Sequence, residues 1–363
     1  MDLFHKLMNI LLPPLTLILL IFFLPPFLTF KLLRFVKRSI ISSDDVSGKV
    51  VLITGAASGI GEQLAYEYGR RGALLVLVDI NEENLATVCS KACSLGSQDA
   101  ISIVADISKL EDCKRFINEA INHFGRCKLA FLDRMYVLCM SVCQYVYVLF
   151  LVYICNKITN FSNCQKMVFP FLFSCKKVDH LVNNAGIARD GVFKNVEQIS
   201  DIVPVMDVNF WGTVYSTHFA LPHLLKAKGK IVVIASTCGW YPLPRLIIYN
   251  ASKAALISFF DTLRAELGWD IGITIVTPGV IKTKLTQGDL LQPVPAESAE
   301  GCAKAIVKSA CRGDMYLTEP SWIRVLVPLK VFCPELVDIG NRWFSRLKIK
   351  SSFLSSQSQL KVE

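Results

Sequence analysis

The pattern of apolar and polar positions divides the chain into unlike parts. Residues 7–30, LMNILLPPLTLILLIFFLPPFLTF, carry no charge over twenty-four positions. The run is long enough to cross a bilayer, and no A-x-A-like cleavage site follows it. Pro13-Pro14 and Pro25-Pro26 interrupt it, and proline inside a helix removes a donor and clashes with the preceding turn. Two forms are therefore expected for an anchor over residues 1–44: a kinked spanning helix, or a bent hairpin that enters and leaves one leaflet. From Gly48 the pattern changes to short apolar strands alternating with amphipathic helices. Lys49–Thr54, Leu74–Asp79 and Ile101–Asp106 read as strands, and 60–71 and 109–124 as helices. Such alternation predicts an α/β fold, a doubly wound Rossmann arrangement of parallel strands over 45–126 and 178–320.

A second apolar region, 127–177, breaks the alternation where the next strand is due. Its stretch Met135–Cys155 is long enough to be weighed as a span. A single crossing would leave the two halves of one parallel sheet on opposite sides of a membrane, which is untenable. Helix-to-strand connections in such folds usually run about 2–6 residues. The segment sustains neither a 3.6 nor a 2.0 period, and it is read as translated non-coding sequence such as a retained intron. The alternative is a re-entrant membrane hairpin. After residue 320, Trp322, Phe332, Trp343 and Phe344 are interspersed with basic residues. That tail, 321–363, is expected either to lie in a membrane interface or to pack on its own domain, with 351–363 disordered.

Composition sharpens this reading. The hydrophobic content of 52% and mean hydropathy of +0.43 exceed the needs of a soluble domain, and the surplus sits in the two apolar regions. The net charge of +9 is local: Lys31, Arg34, Lys37 and Arg38 follow the first run, and Arg342, Arg346, Lys348 and Lys350 lie near the end. Basic flanks of apolar segments fit a membrane surface, with the following domain cytosolic by the positive-inside rule. No nucleic-acid-binding module is present, and nucleic acid is excluded as a partner. Six of the thirteen cysteines fall within 127–177. With no CxxC pair and no zinc-ligand spacing, free thiols and no metal site are expected.

The chemistry is carried by pieces in a fixed order. The turn Thr54–Gly61, TGAASGIG, joins a strand to a helix. There Thr54, Gly55, Ser58, Gly59, Ile60 and Gly61 allow backbone N–H groups to approach a pyrophosphate at the positive helix end. Asp79 ends the second strand, where a carboxylate accepts bonds from ribose hydroxyls and repels a 2′-phosphate, so NAD is favoured. Asp106 would meet the adenine edge. Asn183, Ala185 and Gly186 belong to an NNAG motif, and Pro278-Gly279 follows a later strand. Ser236 ends the strand KIVVIAS, and Tyr249 and Lys253 stand at i and i+4 on one helix face. A nearby ammonium favours the phenolate, so Tyr249 can exchange a proton with an alcohol as hydride moves to or from a nicotinamide. Ser236 would bond the substrate oxygen, and Asn209 would orient a proton relay behind the lysine.

As a set, these motifs resemble the short-chain dehydrogenase/reductase family, over about 48–126 and 178–318. The interrupted anchor, SGKVVLITGA, YNASKAAL, ITIVTPG and YLTEPSW are similar to the plant 11-β-hydroxysteroid dehydrogenase-like proteins, the steroleosins of seed oil bodies. The resemblance implies NAD(P)-dependent interconversion of a hydroxyl and a ketone on a sterol-like lipid, at a lipid droplet or the endoplasmic reticulum. It also implies that NADP is an alternative cofactor and allows a homodimer. Two rivals stand beside it: a reductase of retinoids or long-chain keto-lipids, and a catalytically inactive lipid-droplet coat protein.

Overall fold

The computed structural model describes residues 2–40, 44–124, 178–286, 295–343 and 345. Residues 127–177 and 351–363, the apolar insertion and the Ser/Gln-rich terminus, lie outside the described residues. The chain divides into two compact units, Met1–Asp45 and Val46–Glu363.

The first unit is one helix, α1 (Asp2–Ile40), which runs unbroken through both proline pairs. The bent hairpin is therefore not formed. Proline is tolerated within apolar helices where neighbouring groups re-satisfy the backbone. Thr29 Oγ1 folds back on the second pair, donating to the carbonyls of Pro25 (2.8 Å) and Pro26 (3.0 Å). The stretch Ile10–Phe30 is long and apolar enough to cross a membrane, and Leu17, Ile21 and Phe22 stand exposed along it.

The second unit is built on β1 (Val50–Thr54), β2 (Leu74–Asp79), β3 (Asp99–Val104), β4 (His180–Asn183), β5 (Lys230–Ile234), β6 (Gly272–Pro278) and a last strand, Tyr316–Glu319. They form a seven-stranded sheet in the order β3-β2-β1-β4-β5-β6 followed by the last strand, every neighbouring pair parallel. The strands alternate their faces as a period of two requires. Val51, Ile53, Leu75 and Leu77 pack in one buried cluster with Leu64, Tyr68, Leu85 and Ile306. Val50, Leu52, Val76 and Val78 pack in a second with Phe116, Ile117, Leu256 and Phe260. The two clusters are covered by helices α2 (Gly59–Arg70), α3 (Glu82–Ser94) and Ala299–Arg312 on one face. On the other lie residues 110–124 (α4), Gly212–Ala227 (α5) and Ile247–Leu267 (α6).

β3 begins and ends two residues earlier than the apolar pattern predicts. Asp106 thus falls in the following loop, where its carboxylate accepts from Ser108 N (3.0 Å) and Ser108 Oγ (2.7 Å) and turns the chain toward α4. The tail forms a 3₁₀ turn (Ser321–Val325), a helix (Leu326–Phe332) and another over 334–343. It shows features of both expected forms. Ile323 and Val337 are buried, while Trp322, Phe332, Ile339 and Trp343 remain exposed. Lys330 Nζ donates to the Trp240 carbonyl, and Asn341 Nδ2 to that of Pro242 (3.3 Å).

Candidate active site

Strand order reverses between β1 and β4, and ligands of open α/β sheets bind in the crevice at that switch, beyond the carboxyl ends of the strands. A cleft of about 400 Å³ lies there. The turn after β1 contributes Gly55, Ser58, Gly59 and Ile60; β2 ends in it with Asp79 and Ile80; Ala105 and Asp106 follow β3. Ala185 and Gly186 follow β4, Ser236 follows β5, and Pro278 and Gly279 close β6; Tyr249 and Lys253 enter from α6.

The turn has the shape a phosphate needs. Gly55 has a φ of 66°, and a Cβ there would lie 2.6 Å from the Cα of Ala185. Gly61 does not line the cleft; a Cβ on it would stand 2.0 Å from the Gly55 carbonyl oxygen, so glycine lets α2 start against the turn. Ser58 heads α2 with no capping bond from its side chain, which leaves its hydroxyl for an anion at the helix end. These groups fit a dinucleotide pyrophosphate. Asp79 is oriented by the backbone: Oδ2 accepts from Ala57 N (2.9 Å) and Oδ1 from Asn81 N (3.0 Å). Its carboxylate keeps further lone pairs for ribose hydroxyls.

Three expected residues have other parts. Thr54 is buried behind the cleft, and its hydroxyl accepts from Asn184 N (3.1 Å) and Ala185 N (3.3 Å). Asn183 faces away from the cleft and donates from Nδ2 to Thr217 Oγ1 on α5 (2.9 Å). The next residue takes the opposite face: Asn184 lines the cleft and donates from Nδ2 to the carbonyls of Thr54 (3.0 Å) and Gly55 (2.9 Å). In a paired Asn-Asn motif, only strand phase tells which residue reaches the ligand. Asn209 sits in a π-helical turn, Asp207–Trp211. Its Oδ1 accepts from Ile187 N (2.8 Å), and its Nδ2 donates to Ile187 O (2.9 Å) and Ser252 Oγ (3.0 Å). Its own carbonyl accepts from Thr213 Oγ1 (2.9 Å). Asn209 thus braces the cleft wall, and a Cβ on Gly186 would stand 3.2 Å from its Oδ1 and 3.3 Å from Lys253 Nζ, so the two side chains meet behind that glycine.

Tyr249, Lys253 and Ser236 are brought together. Lys253 Nζ lies 5.6 Å from the centre of the Tyr249 ring and donates to the Ile234 carbonyl (2.9 Å). Ser236 Oγ accepts from Cys238 N (3.1 Å). The expected lowering of the phenol pKa is not found in this site. Burial pushes Tyr249 well above the ordinary tyrosine value, the nearby Cys238 adds to this, and a hydrogen bond with Ser236 offsets part of it. Burial also lowers Lys253 to about 8, against a smaller opposing influence from Cys238. Desolvation thus dominates both groups, and at neutral pH the pair is phenol and ammonium. Cys238 was not singled out by the sequence, where nothing beyond its place two residues after Ser236 marks it. Ile281, Thr283, Lys284 and Leu285, beyond Pro278-Gly279, also line the cleft and carried no motif.

A phosphate-binding turn at a sheet's switch point, facing a tyrosine, a buried lysine and a serine, defines a nucleotide-dependent oxidoreductase. Comparison with known proteins bears this out. Residues 49–131 and 149–292 match the short chain dehydrogenase family. The 11-beta-hydroxysteroid dehydrogenase-like 4A of Arabidopsis thaliana is 44% identical over 344 residues, covering 93% of this chain and 98% of that protein. The 11-beta-hydroxysteroid dehydrogenase A of Sesamum indicum is 41% identical over 368 residues, covering 97% and 90%. A crystal structure of a short chain dehydrogenase/reductase from Burkholderia phymatum in complex with NAD shares the fold, with a TM-score of 0.60 and 22% identity over 80% of this chain and 96% of that one. This chain belongs to the short-chain dehydrogenase/reductase family, and it is an NAD(P)-dependent oxidoreductase.

Proposed function

We propose that the protein interconverts a hydroxyl and a ketone on a lipophilic substrate of hydroxysteroid type, at a membrane or lipid-droplet surface. The observation that carries this reading is the meeting of Ser236, Tyr249 and Lys253 in the cleft headed by the glycine turn. The names of the relatives supply the substrate class. A nicotinamide dinucleotide held by Ser58, Asp79, Asn184 and Gly186 would take or give the hydride at its nicotinamide ring. Tyr249 Oη moves the proton to or from the substrate oxygen, Ser236 Oγ orients that oxygen, and the Lys253 ammonium stabilises the phenolate left when the proton departs. The apolar helix α1 with its basic flank supports a membrane anchor, and the exposed Trp322, Phe332 and Trp343 support a second interfacial contact by the tail. The test is turnover on a panel of hydroxysteroids, retinols and long-chain secondary alcohols with both cofactors. Absence of turnover on every alcohol would favour an inactive coat protein, and preference for a retinol would move the substrate class.

Asp79 supports NAD over NADP, since Ile80 and Asn81 beside it bring no positive charge. The ratio of kcat/KM for NAD over NADP is expected above unity. Asp79→Ala with Ile80→Arg should move it toward NADP by about tenfold or more, roughly 1.4 kcal/mol. A parent that already prefers NADP would remove Asp79 as the discriminator.

The lowered pKa of Lys253 sets a pH dependence. The ammonium is present below its pKa and lost as pH rises through it, so kcat/KM for ketone reduction should hold near neutrality and fall above about 8. Lys253→Met should lower the plateau and abolish that limb. A profile in the variant with the same upper limb would assign it to another group.

A further inference from the structure

Arg245 carries a left-handed backbone, with a φ of 72°, just before the catalytic helix α6 begins. Residues other than glycine rarely adopt this conformation, and a long side chain held there calls for a compensating contact. Its guanidinium forks onto Asp190, Nε donating to Oδ1 (2.9 Å) and Nη2 to Oδ2 (2.8 Å). Gly191 N then donates to the Arg245 carbonyl (3.0 Å). Three bonds therefore join two short segments. One leads from Asn184–Ile187, the cleft wall after β4, and the other leads into Tyr249.

A second tie joins the same two elements. Asn209 bonds the backbone of Ile187 and the hydroxyl of Ser252, which in turn donates to the Tyr249 carbonyl (2.8 Å). Asn250 Nδ2 donates to the Leu243 carbonyl (2.7 Å), so the segment bearing Arg245 is held from the helix side as well. Beside the Asp190–Arg245 pair lies a cavity of about 480 Å³, walled also by Ile247 and Ile248. That room would let the segment shift if the pair were cut.

We propose that Asp190 and Arg245 form a clasp that positions Tyr249 against the cofactor-side wall of the cleft. This rests on the reading of the chain as a Tyr249-dependent dehydrogenase. Asp190 and Arg245 are positioning residues, since neither lines the cleft. The pair is partly exposed, with 38% and 20% of the side chains accessible. Such pairs add little to global stability, so cutting this one should disturb geometry more than folding.

The test uses the full chain in detergent micelles, as parent, Asp190→Ala, Arg245→Ala and the exchange Asp190→Arg with Arg245→Asp. Each single variant should lower kcat about tenfold with the cofactor KM unchanged, since small misplacements of reacting groups are costly. The primary deuterium isotope effect should rise, as the chemical step becomes rate-limiting. Amide hydrogen exchange should quicken in peptides covering 187–195 and 243–250, while the melting temperature moves by only a few degrees. The exchanged pair should recover most of kcat, because aspartate tolerates a left-handed backbone better than most residues. Single variants with the parent's kcat, isotope effect and amide exchange would overturn the clasp. So would an exchanged pair that recovers neither kcat nor amide protection. Should the parent turn over no alcohol, the dehydrogenase reading fails, and amide exchange still decides whether the clasp holds these segments together.

Discussion

Tyr249→Phe should leave cofactor binding in place and lower alcohol turnover by about 10²–10⁴-fold, the range that general acid–base catalysis supplies. The phenol is half-buried, and its ring faces the Lys253 ammonium at 5.6 Å. Phenylalanine keeps that ring and its packing, so the change removes one oxygen and the proton it carries. Two measurements separate chemistry from folding. NADH binding, followed by its fluorescence, should stay within about threefold of the parent, well under the 1.4 kcal/mol that a tenfold change represents. The kcat for a responsive alcohol should collapse. Equal turnover in variant and parent would remove Tyr249 as the acid/base. Loss of NADH binding together with turnover would instead point to a cleft that no longer assembles. Because burial raises the phenol and lowers the lysine, the proton-donating form prevails in the site as it stands. The reductive direction should consequently suffer at least as much as the oxidative one.

Much of this was legible in the residues, and the misses share a cause. The strands were readable because both faces of a parallel sheet are buried, which leaves continuous apolar runs such as Leu74–Val78. The glycine turn, Asp79, Ser236, Tyr249 and Lys253 were readable because their chemistry demands particular residue types at particular spacings. What failed depended on the direction a side chain takes in three dimensions. Asn183 and Asn184 differ only in phase, and the second of the pair is the one that lines the cleft. The tuning of Tyr249 failed for a related reason. Spacing places an ammonium near the phenol, but how far both are desolvated is decided by neighbours distant in sequence. Segment 281–286 went unmarked because its contribution is a wall, and walls accept many residue types.

Deleting residues 127–177 should yield a better-expressed protein of equal or higher activity. The described flanks make the case. Phe124 of α4 lies in the same buried cluster that holds Val178 and Val50, and β4 pairs with β1 from Val51↔His180 onward. Asp179 fixes the entry to β4, its N donating to Val50 O (2.9 Å) and its Oδ2 accepting from Val50 N (2.9 Å). A segment crossing a membrane once would separate β1 from β4, which the parallel pairing forbids. The remaining forms are a re-entrant hairpin and sequence foreign to the fold, and we propose the second. Joining Arg126 to Val178 leaves Gly125 and Arg126 as the link, within the usual helix-to-strand length of about 2–6 residues. Such a connection enters β4 at its amino end, opposite the cleft, so the catalytic groups are untouched by the change. The entropy recovered by shortening the loop is small, growing only with the logarithm of length. The larger gain is solubility, through removal of a long apolar stretch from the chain. Soluble yield, specific activity and transcript reads across the junction are the measurements. Abundant native peptides from Met135–Cys155, combined with activity lost on deletion, would establish the segment as a working membrane-dipping insertion.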